Sequence, residues 1–185
     1  MRLIGLSGSL RQASFNSALL RATQTLAPDG VEIVAGSIRG IPLYDADLER
    51  DQGLPSAVTD LKDLIAASDG LLLFTPEYNN SIPGVFKNAI DWLSRPADDI
   101  GRVFGGRPVA VLGASPGGFG TILSQNAWLP VLRTLGTDPW FEGRLMVARA
   151  GSVFDAEGRI TDEAVRKRLT DFLNGFAAHC RQHAA

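Results

Sequence analysis

The sequence has only one cysteine, Cys180, among its 185 residues, so no disulfide can form within the chain and no cysteine metal cluster is available. It contains no apolar stretch near the roughly 18 residues that a membrane-spanning helix needs. It also lacks a run of lysine or arginine, and its formal net charge is −2. With no recognisable signal peptide, these absences predict a cytoplasmic protein that binds neither membrane nor nucleic acid.

Two common nucleotide-binding motifs are missing as well. The turn after the first apolar run contains no Gly-Lys-Ser/Thr, and Gly5 with Gly8 does not complete the pattern G-x-G-x-x-G. The sequence therefore favours neither a P-loop nor a dinucleotide fingerprint, and a terminal monophosphate fits this turn better than a pyrophosphate.

The hydropathy pattern predicts an α/β fold in one domain, residues 1–185. Hydrophobic residues make up 45% of the chain and charged residues 21%, as in an ordinary globular protein. Apolar runs alternate with helix-period segments, which indicates a three-layer α/β/α sandwich around a five-stranded parallel sheet of order 2-1-3-4-5. The strands are predicted at 2–7, 31–34, 71–74, 108–114 and 145–148.

The predicted helices fall between these strands, and the last one is expected to run from residue 160 to 181. Residues 36–53 contain Gly, Pro and acidic side chains, and we expect them to be irregular.

The turn at residues 8–17 is rich in hydroxyl and amide groups and precedes a helix. Backbone amides at a helix N-terminus, together with its dipole, favour an anion. Ser9, Ser14, Asn16 and Ser17 add side-chain donors, and Arg11 can contact a phosphate bidentately. The alternative is that Ser14 only caps the helix while the Arg11 side chain is solvated.

A second loop, residues 76–84, joins the buried run at 71–74 to a helix pattern at 85–93. Ligands of open α/β sheets bind at the carboxyl ends of the strands, where this loop must lie. Its two prolines stiffen it, so it can hold backbone amides and carbonyls against a flat polar ring. The alternative is an ordinary polar turn.

The third loop, residues 115–120, contains three glycines, which let the backbone approach a planar ligand closely. In a 2-1-3-4-5 sheet the loops after strands one, three and four converge at the switch point. Each loop alone is weak evidence for a ligand site, and their convergence at one place makes the evidence stronger.

These segments resemble the NAD(P)H-dependent FMN reductases of flavodoxin-like fold, which include quinone and chromate reductases. The resemblance covers most of the chain and rests on residues 8–11, 14–16, 76–79, 81–84 and 87–92, and more loosely on 115–118. It implies FMN as the cofactor.

The resemblance also implies where FMN is held. Its phosphate would contact Ser9, Arg11, Ser14, Phe15, Asn16 and Ser17. Its isoalloxazine ring would lie against Pro76, Glu77, Tyr78 and Asn79, with Ser115, Gly117 and Gly118 near the pyrimidine side.

The activity implied is a ping-pong transfer of electrons from NADPH or NADH, through FMN, to a small acceptor such as a quinone, flavin, azo compound or metal oxyanion. No side chain need act as a catalytic acid or base. A homodimer or homotetramer is implied, with the helix at 85–93 resembling the one at the subunit interface of related proteins.

One departure concerns the stretch after Gln125, where related sequences often carry an arginine that this chain lacks. That arginine is associated with assembly or with the nicotinamide nucleotide.

Two other functions remain open from the residues. A flavodoxin-type electron carrier would bind FMN without turning over NAD(P)H, although the small net charge of −2 argues against the acidic face typical of such carriers. A flavin-free regulatory module on the same fold is the other, and the presence of Arg11 and of the 76–84 loop argues against it.

Several residues could suggest chemistry that we do not expect. Glu77 is predicted to fix its loop rather than to act as a base. His179 and His183 have a metal-compatible spacing but no evident third ligand, so we predict no metal site and a frayed, solvated C-terminus. Cys180 is predicted to be a core thiol.

Overall fold

In the computed structural model, which describes residues 1–183, the strands form one parallel sheet. They are β1 (Arg2–Ser7), β2 (Glu32–Gly36), β3 (Gly70–Phe74), β4 (Pro108–Ala114), β5 (Asp138–Pro139) and β6 (Leu145–Val147). The order β2-β1-β3-β4 is that predicted, and the last position is divided between two strands. The short β5 pairs with Pro108 and Val109 at the start of β4, whereas β6 pairs with 112–114 near its end.

The helices pack on both faces of the sheet. They are α1 (Phe15–Thr25), α2 (Ala46–Gln52), α3 (Ser56–Ala66), α4 (Gly84–Leu93), α5 (Ile100–Val103), α6 (Ile122–Thr134) and α7 (Glu163–His183). The core on one face joins the sheet to α1 and α7, and that on the other joins it to α3, α4, α5 and α6. This arrangement confirms the predicted three-layer α/β/α fold.

Two predictions about helical regions were wrong: an irregular segment contains a helix, and the final helix has other bounds. Residues 36–53 are not entirely irregular, because Asp45 caps α2 by accepting a hydrogen bond from the Asp47 amide (2.8 Å), and acidic residues in the first turn suit the helix dipole. The final helix starts at Glu163 rather than at residue 160, since the Asp162 carboxylate accepts from the Val165 amide (3.0 Å).

Trp92 and Trp128 lie in the core on the α3/α4/α6 face, and each is fully buried. Their indole N–H groups donate to the partly buried Pro42 carbonyl (2.9 Å) and to the buried Thr75 hydroxyl (3.0 Å) respectively. The sequence left their packing undecided, and the structure places both inside the molecule.

Backbone hydrogen bonds bring the carboxyl ends of three strands together. The Gly8 amide donates to the Phe74 carbonyl (2.9 Å), and the Thr75 amide donates to the Leu112 carbonyl (2.8 Å). The loops that follow β1, β3 and β4 therefore leave the sheet side by side. Within residues 1–183, no helix combines the length and the apolar character needed to cross a membrane.

Candidate active site

The first loop ends at the N-terminus of α1, which Ser14 caps. Ser14 is 4% exposed, and its hydroxyl accepts from the Ser17 amide (3.3 Å). The amides of Phe15 and Asn16 belong to the first turn, where an α-helix offers them no internal acceptor. Capping by Ser14 and anion binding by the neighbouring amides are therefore compatible.

A cavity of about 300 Å³ lies beside this loop, between β1, α1 and the segment after β2. Its lining includes the hydroxyls of Ser9 and Ser17 and three arginines, Arg11, Arg21 and Arg39, and none of the described lining residues is acidic. This composition makes it a pocket for an anion.

Two of these arginines are held by neighbours. The Arg11 guanidinium carbon lies 5.7 Å from the centre of the Phe15 ring, within the range of a cation–π contact. Arg39 donates to the Leu10 carbonyl (2.7 Å), which fixes the far side of the loop. Sequence reasoning missed Arg21 and Arg39, because neither belongs to the loop and only the fold brings them to it.

The Asn16 side chain is committed to the protein's own backbone. It is 3% exposed, donates to the Ala114 carbonyl (2.8 Å) and accepts from the Ala114 amide (2.9 Å). Asn16 thus joins the start of α1 to the end of β4, and only its backbone amide remains for a ligand.

The second loop contains a tight turn over residues 78–81. Tyr78 and Ser81 exchange two backbone hydrogen bonds of 3.1 Å, and Asn79 and Asn80 have φ values of 50° and 62°. Positive φ at both central positions is typical of a type I′ turn, which favours asparagine. The turn leaves the Tyr78 side chain 49% exposed at the edge of the sheet.

Thr75 anchors the base of this loop. It is fully buried, and its hydroxyl lies 2.9 Å from the Pro76 carbonyl, 2.7 Å from the Ser124 hydroxyl and 3.0 Å from the Trp128 indole nitrogen. Sequence reasoning missed this network, because its members are some 50 residues apart in the chain.

Glu77 caps α6 from the second loop. One of its carboxylate oxygens accepts from the amides of Leu123 (2.8 Å) and Ser124 (3.1 Å) in the first turn of that helix. The negative charge therefore balances the positive end of the helix dipole. This geometry supports the expected loop-fixing role.

The third loop is tied to the chain after β6. The Arg149 amide donates to the Gly117 carbonyl (2.9 Å), and the Ala150 amide donates to the Ser115 carbonyl (3.0 Å). Gly117 and Gly118 are exposed, and a Cβ built on Gly118 would meet no atom within 4 Å. The loop thus offers an open backbone surface.

Two features of the third-loop region escaped the sequence reasoning. Arg149 is exposed and has a left-handed backbone (φ 49°), and its backbone amide lies beside Gly117. Near the end of β4, position 113 must be glycine, because a Cβ there would lie 2.2 Å from the Thr75 carbonyl oxygen.

These residues fit FMN. The phosphate suits the arginine-lined cavity and the free amides of α1, and a flat ring suits the surface between the rigid 76–79 segment and the glycines of the third loop. Together, the sheet order and the three converging loops define a flavodoxin-like α/β protein.

The chain belongs to the NADPH-dependent FMN reductase family, whose profile matches residues 1–151. It is 41% identical over 182 residues to an NAD(P)H-dependent FMN reductase of Pseudomonas aeruginosa, with 98% of this chain and 96% of that protein covered. It is 40% identical over 174 residues to a 2-hydroxy-1,4-benzoquinone reductase of a Burkholderia species, with 94% and 93% covered.

Its fold is also similar to that of FerB, a flavoenzyme NAD(P)H:(acceptor) oxidoreductase of Paracoccus denitrificans. The TM-score is 0.88 at 36% identity, and 98% of each chain is covered. The family resemblance expected from the sequence is thereby confirmed. The protein is an oxidoreductase with FMN as its cofactor and NAD(P)H as its electron donor.

Proposed function

We propose that the protein transfers electrons from NAD(P)H to a small acceptor in a ping-pong cycle that uses bound FMN. The observation that carries this proposal is the convergence of an arginine-lined anion pocket and an open glycine-rich surface at one edge of the sheet. Quinones are the favoured acceptors, since similar proteins are named quinone and 2-hydroxy-1,4-benzoquinone reductases. Free flavins, azo compounds and metal oxyanions remain in the proposed class.

FMN, when bound, supplies the redox chemistry by accepting two electrons from NAD(P)H and giving them to the acceptor. The chain's own residues bind and orient it. Phosphate binding is assigned to Arg11, the hydroxyls of Ser9 and Ser17, and the first-turn amides of α1 that follow the Ser14 cap, those of Phe15 and Asn16.

Ring binding is assigned to the second and third loops, at Pro76, Glu77, Tyr78, Asn79, Ser115, Gly117 and Gly118. Pro76 is buried and fixed through Thr75, so it gives the ring a rigid wall. Tyr78 and Phe119 are 49% and 84% exposed. Because this flank is open to solvent, donor and acceptor can occupy it in turn, as a ping-pong cycle requires.

The absorption spectrum of the purified protein, taken before and after anaerobic addition of NADPH and then NADH, tests the proposed function. Flavin bands that bleach without a partner reductase are expected, and re-oxidation by a quinone would complete the cycle. Bands that persist would indicate an electron carrier instead. No retention of added FMN would overturn the assignment of the site.

Replacing Arg11 by alanine tests the phosphate assignment. We expect FMN to bind about 10- to 100-fold more weakly, because a charge-assisted contact to phosphate is lost. Riboflavin lacks the phosphate, so its affinity should change little. Flavin fluorescence titrations measure both, with Arg166→Ala, an exposed arginine of α7, as the matched control. An equal loss for both flavins would contradict the assignment.

A homodimer or homotetramer in the cytoplasm is part of the proposal. An apolar groove of about 380 Å³ lies between α6 and residues 139–146, and beside it Phe141 and Leu129 are 63% and 41% exposed. Surfaces of this kind are typical of association sites. We expect Phe141→Glu to lower the mass measured by light scattering after size exclusion, whereas an unchanged mass would place the interface elsewhere, for example on α4.

A further inference from the structure

Two histidines of α7 meet a carboxylate at the amino-terminal edge of the sheet. His179 and His183 lie one turn apart, and Asp138 stands at the start of β5. The ligating atoms of these three side chains all lie within 4.8 Å of one another. This cluster is at the opposite edge of the sheet from the three loops of the candidate active site, and the proposed FMN site makes no use of it.

Both imidazole rings point at the same oxygen. The Nε2 atoms of His179 and His183 lie 2.6 Å and 2.8 Å from Oδ2 of Asp138, and the ring centres are 4.4 Å apart. His179 and Asp138 are partly buried, with 18% and 34% of their side chains exposed. Histidines spaced i, i+4 on one helix face are a common chelating pair.

The hydrogen bonds of His183 indicate which of its nitrogens is free to bind a cation. Its Nδ1 lies 3.0 Å from the His179 carbonyl oxygen, which can only accept, so Nδ1 carries the hydrogen. Its Nε2 therefore faces the Asp138 carboxylate at 2.8 Å, and it is the nitrogen available to hold a proton or a metal ion there. A histidine that ligates a metal usually donates its other N–H to such a carbonyl.

We propose that Asp138, His179 and His183 bind one divalent transition-metal ion of the Zn²⁺ class, with water completing a tetrahedral shell. Two imidazoles and one carboxylate suit Zn²⁺ rather than Mg²⁺ or Ca²⁺, which prefer oxygen ligands. Ligand atoms about 2.0–2.1 Å from a tetrahedral zinc ion lie roughly 3.3 Å apart, so each imidazole must move from the carboxylate by less than about 1 Å. The negative end of the α7 dipole also favours a cation there.

The metal fastens the end of α7 to the edge of the sheet. Helix α7 contributes Leu169, Phe172, Phe176 and Cys180 to the core, and beyond Cys180 its end is joined to the sheet through the contact of His183 with Asp138. The sequence pattern did not reveal the site, because Asp138 lies about 40 residues upstream and β5 has no apolar run. The expected fraying was wrong, because α7 continues to His183, the last residue of the helix as described. His179 is partly buried, whereas His183 is exposed as expected.

The test uses untagged, FMN-loaded full-length protein stripped with EDTA. Isothermal titration with Zn²⁺ should give one site per chain, and His183→Gln or Asp138→Asn should weaken it at least 10-fold. Asp171→Asn, an exposed acid on α7 paired with Lys167, is the matched control and should leave the affinity unchanged. Circular dichroism checks that each variant is folded.

Co²⁺ provides a second readout, because it absorbs strongly in the visible only in a tetrahedral or five-coordinate site. We expect such bands for the parent chain and their loss in His183→Gln. Equal Zn²⁺ affinity in parent and variants, or a Co²⁺ spectrum like that of the hydrated ion, would overturn the proposal.

Discussion

Glu77 and Asn16 both direct their polar atoms at backbone groups of the protein. Glu77 accepts from two amides of α6, and Asn16 pairs with both backbone groups of Ala114. Each lies within a segment that carries the family resemblance, yet its side chain shapes the loops more than it offers atoms to a ligand. This distinction yields a direct test for Glu77.

The Glu77→Gln variant should lose roughly 0.5–1 kcal/mol of unfolding free energy, because an uncharged acceptor balances the helix dipole less well. Its kcat should stay within a few-fold of the parent, and the pH dependence of kcat should not change. Urea unfolding and a pH–rate profile measure these effects, with exposed Glu142→Gln as the control. If kcat instead falls by more than about 100-fold and one of the pH-dependent sides of the pH–rate profile disappears, Glu77 is a proton-transfer group.

Single residues also mark the limit of sequence reasoning at the site. Ser14 could be assigned as a helix cap from its position before an apolar-periodic segment, and the 76–79 motif could be assigned to a strand end. Arg39 and Arg149 could not be assigned, because each reaches the loops through backbone or side-chain contacts across the fold. Only the topology shows that they are neighbours.

Among the secondary-structure elements, α3 and α5 are joined through one carboxylate. Lys62 of α3 is almost fully buried, and its ammonium lies 2.8 Å from Asp99, which also binds Arg102 of α5. Hydrogen bonds from Arg102 and then from Lys62 hold the pKa of Asp99 well below its usual value. The ionised carboxylate therefore stabilises the folded state at neutral pH.

We expect Asp99→Asn to lower the unfolding free energy at pH 7 by about 2 kcal/mol. This is less than the 3–5 kcal/mol of a fully buried pair, because the Asp99 side chain is 26% exposed. Since the folded-state pKa is depressed, the contribution is complete above about pH 5 and is lost as the pH falls through and below the unfolded value near 4.

Urea unfolding at pH 7, 5 and 3 measures this contribution of Asp99. The parent and the variant should converge toward pH 3, while the exposed neighbour Asp98→Asn should follow the parent throughout. A difference that stays constant with pH would show that Asp99 acts through packing rather than charge.

Secondary-structure elements were predicted best where the sequence has a clear hydrophobic pattern. The strand at 71–74 is a continuous apolar run and was predicted within one residue of β3. The two-residue β5 has no apolar run, and α2 has no buried residue, so neither leaves a pattern in the sequence. Such elements depend on pairing and capping, which a hydropathy pattern does not record.

At the scale of the whole molecule, chemical labelling of the buried Cys180 thiol can measure unfolding. Cys180 is 1% exposed, and burial, followed by the charge of Asp69, raises its pKa to about 12. We expect a thiol reagent at pH 8 to modify it only through unfolding, so the labelling rate should rise with urea in step with the unfolded population. Fast labelling of the native protein would contradict the buried position.

The molecule keeps its proposed functions at opposite edges of one sheet. The loops for FMN lie at the carboxyl ends of β1, β3 and β4, and the metal ligands lie at the amino end of β5 and the end of α7. Metal binding should therefore change stability and leave FMN affinity nearly constant. The organisation of residues 1–185 as one domain stays a prediction.

Two hydrogen bonds join Asn16, at the start of α1, to the backbone of Ala114, at the end of β4, where the third loop begins. We therefore expect a ligand that orders the first loop to order the third loop as well. By linkage, inorganic phosphate and riboflavin added as separate fragments should each raise the other's affinity. In Asn16→Ala we expect this cooperativity to disappear, so that phosphate no longer changes the affinity for riboflavin and riboflavin no longer changes the affinity for phosphate.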